Sequence, residues 1–166
     1  MQSYKFKLII IFIKLSLLFR LSQLTAIIFY LFTKKKGINS GKNKILYLSK
    51  PIFDQDVQAL IYYGRQFEYY LFPRLLLSEI CRYYIPYFDE LNDENYYIKT
   101  ENKSEILQLR KFLKTFLYYY QKLQKFDIVL AGNFVYTQQQ EFFYVLNEIK
   151  IPIVVIYKEG LFPIHR

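Results

Sequence analysis

Two short polar stretches, Gly132-Asn133 and Lys158-Glu159, are the residues of this sequence whose types and positions could do chemistry. Gly132 and Asn133 follow the apolar run Ile128 to Ala131 and precede Thr137, which stands with Gln140 at the Thr-x-x-Gln spacing of a capping box. A glycine lets backbone approach a ligand closely, and a helix N-terminus offers free N–H groups and a positive dipole end to an anion. This pair could therefore hold a phosphate or a sugar hydroxyl. Lys158 and Glu159 follow a second apolar run, Ile151 to Ile156. A lysine can neutralise a phosphate, and a glutamate beside it can act as general base or orient a sugar hydroxyl. Each pair also has a plainer reading: Gly132 as a strand-to-helix turn, Lys158 and Glu159 as a solvated ion pair. The G-x-G-x-x-G fingerprint of dinucleotide binders is missing after the first strand, and no residue is assigned as catalytic.

The elements that must position these residues are legible from apolar spacing. Ile128 to Ala131 and Ile153 to Tyr157 are short, nearly continuous apolar runs that suit strands buried on both faces of a parallel sheet. Between them Phe142, Val145, Leu146 and Ile149 recur at helical spacing. Upstream, Ile45 to Ser49 and Phe67 to Phe72 read as two further strands. A helix from Asp54 to Tyr63 lies between those two, stopped by Gly64, and a leucine-rich helix opens at Pro73. Residues 87–100 are polar and acidic and read as a loop. From Ser104 to Lys125 the apolar positions Ile106, Leu109, Leu113, Phe116, Tyr120 and Leu123 mark a long amphipathic helix. Strands alternating with helices predict an α/β fold: a small parallel, Rossmann-like sheet of about four strands flanked by helices. The carboxyl ends of such strands share one edge, where open α/β folds bind ligands.

The order of these segments is similar to a known pattern. A first strand Lys44 to Ser49 is followed by Pro73-Arg74 with Leu75 to Leu77, the acidic stretch Asn92 to Tyr96 and a long basic helix. An Asp127-to-Phe134 strand end and an Ile151-to-Glu159 strand close it. Residues 44–160 so resemble the N-terminal Rossmann-like half of two-domain, GT-B type glycosyltransferases of bacterial surface or capsular polysaccharide biosynthesis. The resemblance implies a nucleotide-sugar or a glycan acceptor as ligand, the acceptor being favoured because the other half of that architecture holds most nucleotide-sugar contacts. That second half is absent from this chain. The expectation is a truncated glycosyltransferase-like protein, inactive by itself and without a cofactor. The alternative is a non-catalytic, membrane-associated interaction module that pairs with a separately encoded second-half partner chain.

Charge divides the molecule. The formal charge is +9, yet residues 1–50 hold ten Lys or Arg and no acid, while the remainder carries thirteen basic and fourteen acidic side chains. A nucleic-acid reader would carry its basic surface on the folded domain, so a nucleic-acid partner is not expected. Cys81 and His165 are each single, and the acids Asp89, Glu90, Asp93 and Glu94 lack the glycine of a calcium loop, so no metal site is expected. Residues 1–36 read as an apolar, basic N-terminal helix, 37–43 as a linker with two glycines, and 44–166 as the Rossmann-like domain. Lys14, Arg20 and Gln23 interrupt the apolar stretch 8–32 and make a membrane-spanning helix unfavourable. A helix on an anionic membrane surface, or one packed on the domain, fits better. The location expected is the cytoplasmic side of a membrane, as a peripheral protein, or the cytoplasm.

Overall fold

The computed structural model describes residues 2–36, 41, 43–48, 53–64, 66–88, 103–132 and 137–156. Among them are helices α1 (Gln2–Leu18), α2 (Ser22–Phe32), α3 (Asp54–Tyr63), α4 (Arg74–Tyr84), α5 (Ser104–Gln124) and α6 (Thr137–Glu148). The strands are β1 (Lys34–Lys36), β2 (Asn43–Leu48), β3 (Phe67–Leu71), β4 (Ile128–Gly132) and β5 (Ile153–Ile156). They form one sheet in the order β1-β3-β2-β4-β5. The four strands expected from the sequence pair in parallel throughout, and the fold is α/β with a small, mostly parallel sheet.

β1 is the added feature, pairing antiparallel with β3 from Lys34 opposite Leu71 to Lys36 opposite Tyr69. Its three lysines are exposed, so it caps the sheet with charge rather than with apolar surface. Lys35 Nζ bonds Glu68 Oε1 at 2.5 Å across this pair. That bond is the main reason the Glu68 carboxyl sits below its usual range.

The winding reverses at β2. The chain steps from β2 to β3 on one side, then crosses back to β4 on the other and on to β5. Right-handed crossovers then require the connecting helices to change face. They do: Val57 and Ile61 of α3 pack with Ile45, Tyr47 and Leu130 on one face. Leu46, Leu48, Val129 and Ala131 point to the other, into a larger core shared with α1, α2, α4, α5 and α6. This explains why the central strands read as unbroken apolar runs, since both faces are covered.

The N-terminal segment is part of that larger core. Where the sequence predicts one helix, the chain makes two, because α1 ends in a Schellman motif: Arg20 N donates to Leu17 O at 2.9 Å and Leu21 N to Ser16 O at 2.7 Å. Arg20 takes the left-handed position with φ 53°. Ser16 and Thr25 join α1 to α2 through a 2.8 Å hydroxyl contact. Phe29 of α2 inserts between α5 and the sheet, with ring centroids 4.8 Å from Phe116 and 5.3 Å from Phe72. Thr33 and the buried Tyr120 share a hydrogen bond of 2.6 Å.

Two further contacts lock the frame. Arg110 on α5 grips the buried Glu141 on α6 through two hydrogen bonds, of 2.5 and 3.0 Å. At the start of the central strands, Asp127 Oδ2 accepts from Lys44 N at 2.8 Å.

Candidate functional site

β2 and β4 are neighbours in the sheet but lie on either side of the reversal, so the crevice beyond their carboxyl ends is a topological switch point. The connections after Leu48, Gly132 and Ile156 leave from this edge, as does the one after Leu71 of β3. Leu48 pairs with Ala131 and Gly132 with Ile156, so the three strands end nearly level. β4 and β5 are adjacent, and the chain leaves both within about 5 Å, the spacing of neighbouring strands.

Of the four residues expected to bind ligand, Gly132 is placed, buried at the last position of β4. Asn133, Lys158 and Glu159 lie outside the described residues. Gly132 is required here by close approach. A Cβ on it would meet the Phe53 ring, 2.3 Å from its Cδ2 atom and 2.8 Å from Cγ. Phe53 is itself buried and stands immediately before α3, so its ring packs over Gly132 as a floor at the end of β4.

Three helices begin at this edge, α3, α4 and α6, and the two that follow the central strands β2 and β4 differ in charge. α3 opens with the sequence Asp54-Gln55-Asp56, so its first turn carries negative formal charge, which disfavours an anion there. α6 opens with Thr137 and three glutamines and has no acid in its first turn. Of these two helix starts, that of α6 carries no formal charge opposed to an anion. Sequence spacing draws attention to Gly132 but not to Phe53, because a ring reaching across from the connection before α3 leaves no periodic trace.

Groups with displaced titration sit away from this edge. Burial pushes the Cys81 thiol up to about 12, and the nearby Glu141 charge adds to it. Burial is also the first cause that raises Tyr70 and Tyr84 to about 12. These side chains serve the core and the β1 side of the sheet. No group of three or more His, Cys, Asp or Glu side chains able to hold a metal occurs among the described residues, and the acidic run 89–94 lies outside them. An open hollow of about 360 Å³ lined by Asn147, Lys150, Ile151, Pro152 and Ile153 lies at the start of β5, at the opposite, amino end of the sheet.

No family model, curated protein or solved structure matches this chain. No helix among the described residues is long and apolar enough to cross a membrane.

Proposed function

We propose that this chain is a glycosyltransferase-like binding half that takes a glycan acceptor or nucleotide-sugar at the carboxyl edge of β4 and β5. Its place is the cytoplasmic side of a membrane, as a peripheral protein. The observation that carries the reading is the pairing of Gly132 with Ile156 at the switch-point side of the sheet. It sends the chain toward Asn133 and toward Lys158-Glu159 from adjacent strand ends. Support also comes from the acid-free start of α6 and from the Phe53–Gly132 contact, which leaves no room for a side chain at position 132. In this reading Lys158 neutralises a phosphate, Asn133 and the α6 N-terminus bond hydroxyl or phosphate oxygens, and Glu159 orients a sugar hydroxyl.

Calorimetric titration of the full chain with nucleotide-sugars and with oligosaccharides tests this. Saturable binding that Asn133→Ala and Lys158→Ala each weaken about tenfold or more, with the fold unchanged, is the expected outcome. A folded chain with no saturable binding to either ligand class sinks the reading.

The second reading is a non-catalytic module that pairs with a separate chain, and the outer edge of β5 favours it. Among the described residues no strand pairs with that edge, and Val154 is 49% exposed on the face that α3 leaves uncovered. The opposite edge is closed by the lysines of β1, whereas this one is apolar. Capture of a second Rossmann-like chain, abolished by Val154→Lys, would favour this reading.

A further inference from the structure

Large apolar side chains that remain exposed are concentrated at one place. Of the twenty-two among the described residues, twelve belong to residues 8–32. On α1 and the turn that ends it, Leu8, Ile11, Phe12, Leu15, Leu18 and Phe19 are between 47% and 67% exposed. At roughly 100° per residue these six fall within a sector of about 120°. The buried Ile13 and Leu17 occupy the opposite side, and the buried Ser16 lies between that side and the sector. α2 repeats the arrangement, burying Ala26 and Phe29 while Leu24, Ile27, Leu31 and Phe32 are exposed. Both helices bury one side in the same core, so both turn a second apolar side away from it. A water-facing helix would carry polar residues there.

Charge identifies what covers these faces. Residues 1–36 contain seven lysines or arginines and no acid. Lys7 and Lys14 are exposed, one heptad apart, along one border of the α1 apolar sector. Lys34 and Lys36 are exposed just beyond the end of α2. A second copy of the chain would bring like charges together, which opposes association. An anionic bilayer meets both features, with apolar side chains in the acyl boundary and lysines at the headgroups.

We propose that the outward faces of α1 and α2 dock the protein on an anionic lipid bilayer, lying within its interface rather than crossing it. The inference rests on the membrane placement of the reading above and not on its ligand site. The Schellman corner at Leu18, Phe19 and Leu21 gives the pair a bend, so that two short helices present apolar surface where neither is built to span. Because the inner faces are held by Phe29 and by the Ser16–Thr25 contact, the docking surface is preformed on the folded domain.

The test is flotation of the full chain with vesicles of phosphatidylglycerol and phosphatidylcholine, against vesicles of phosphatidylcholine alone. The wild type should float with the anionic vesicles only. Leu18→Asp, Phe19→Asp and Leu31→Asp together change side chains that are 61%, 67% and 70% exposed, so the core is untouched and binding should fall at least about 100-fold. Lys7→Gln, Lys14→Gln and Lys34→Gln together should also weaken it about 100-fold, at about fivefold per lysine. This second set removes no apolar contact and decides the matter if the aspartate variant fails to fold. Wild-type binding by a folded aspartate variant, or by the glutamine variant, overturns the proposal. So does a wild type that does not float, and so does a dimer in sedimentation that the aspartate variant dissolves without any lipid binding. Ligand titration of the aspartate variant reads the carboxyl edge separately, and its result is expected to match the wild type.

Discussion

Asp127 and Lys44 are joined by two reciprocal hydrogen bonds at the amino ends of the central strands: Lys44 N donates to Asp127 Oδ2, and Asp127 N donates to Lys44 O, each at 2.8 Å. The aspartate that opens the Asp-x-Val-Leu-x-Gly-Asn-Phe stretch therefore fastens β4 to β2 at the end of the sheet away from Gly132. Its role is register. Asp127→Ala should cost about 1 kcal/mol of stability in urea unfolding, the worth of one such bond. Ligand affinity at the carboxyl edge should stay as it was, and a large affinity loss without a stability loss would contradict this assignment.

The Arg110–Glu141 pair joins α5 to α6, with the carboxylate buried and the guanidinium stacked 3.9 Å from the centroid of the Tyr144 ring. Removing the cation alone strands a buried charge, so Arg110→Ala should destabilise by about 3 kcal/mol. Arg110→Met with Glu141→Leu should recover most of that loss, because an apolar pair of similar volume needs no compensation. Chemical denaturation of the two single variants and the double variant checks the non-additivity.

Alkaline pH should unfold the protein before most surface groups matter. In the folded state the Cys81 thiol and the Tyr70 and Tyr84 hydroxyls are held up to about 12 by burial. Their raised values mean that the unfolded chain releases these protons first. The stability they contribute is complete below the ordinary thiol and phenol values, about 8.5 and 10, and is lost as pH rises through the window toward 12. Denaturant midpoints should therefore fall between about pH 9 and 12. Cys81 should be silent to a thiol reagent at pH 8 until the chain unfolds. Glu68 acts at the other end: its lowered carboxyl supports the β1–β3 pairing at neutral pH, and that support is lost as pH falls through its folded value.

Much of the fold was legible because burial leaves a local signature, on both faces for β4 and only in part for β5, where Val154 is exposed. Ile128 to Ala131 and Ile153 to Ile156 are apolar without alternation, and the helices between strands keep their three-and-four spacing, so the four parallel strands and α3 to α6 fall within a residue or two of expectation. β1 left no such signature, since Lys34, Lys35 and Lys36 pair through backbone at an edge and bury nothing. The α1–α2 break was hidden for a different reason. Arg20 holds a left-handed position that glycine usually marks, and non-glycine residues there cost about 1 kcal/mol, which tertiary packing of Leu17 and Thr25 outweighs. At the candidate site the order of Gly132, Asn133, Lys158 and Glu159 shows which strands carry them. Which aromatic closes the floor depends on a neighbour 79 positions earlier, Phe53, and no spacing rule reaches that far.

Gly132 offers the sharpest separation of floor from ligand. Adding one methyl there drives a Cβ to within 2.3 Å of the Phe53 ring, a contact that neither backbone nor a buried ring can absorb in place. Gly132→Ala should cost about 2 kcal/mol by overpacking. Because Phe53 directly precedes α3, the displaced ring should also disturb the start of that helix and with it the switch-point edge. Phe53→Leu is smaller and should restore room for the methyl, so the double variant Gly132→Ala with Phe53→Leu should regain most of the lost stability. Thermal unfolding of the single and double variants measures this coupling, and simple additivity would mean the two residues do not meet as described. If the double variant is folded and binds ligand as the wild type does, Gly132 matters for packing alone, and Asn133 with the start of α6 carries the recognition. If it is folded and binding stays lost, the glycine backbone itself is the surface the ligand needs.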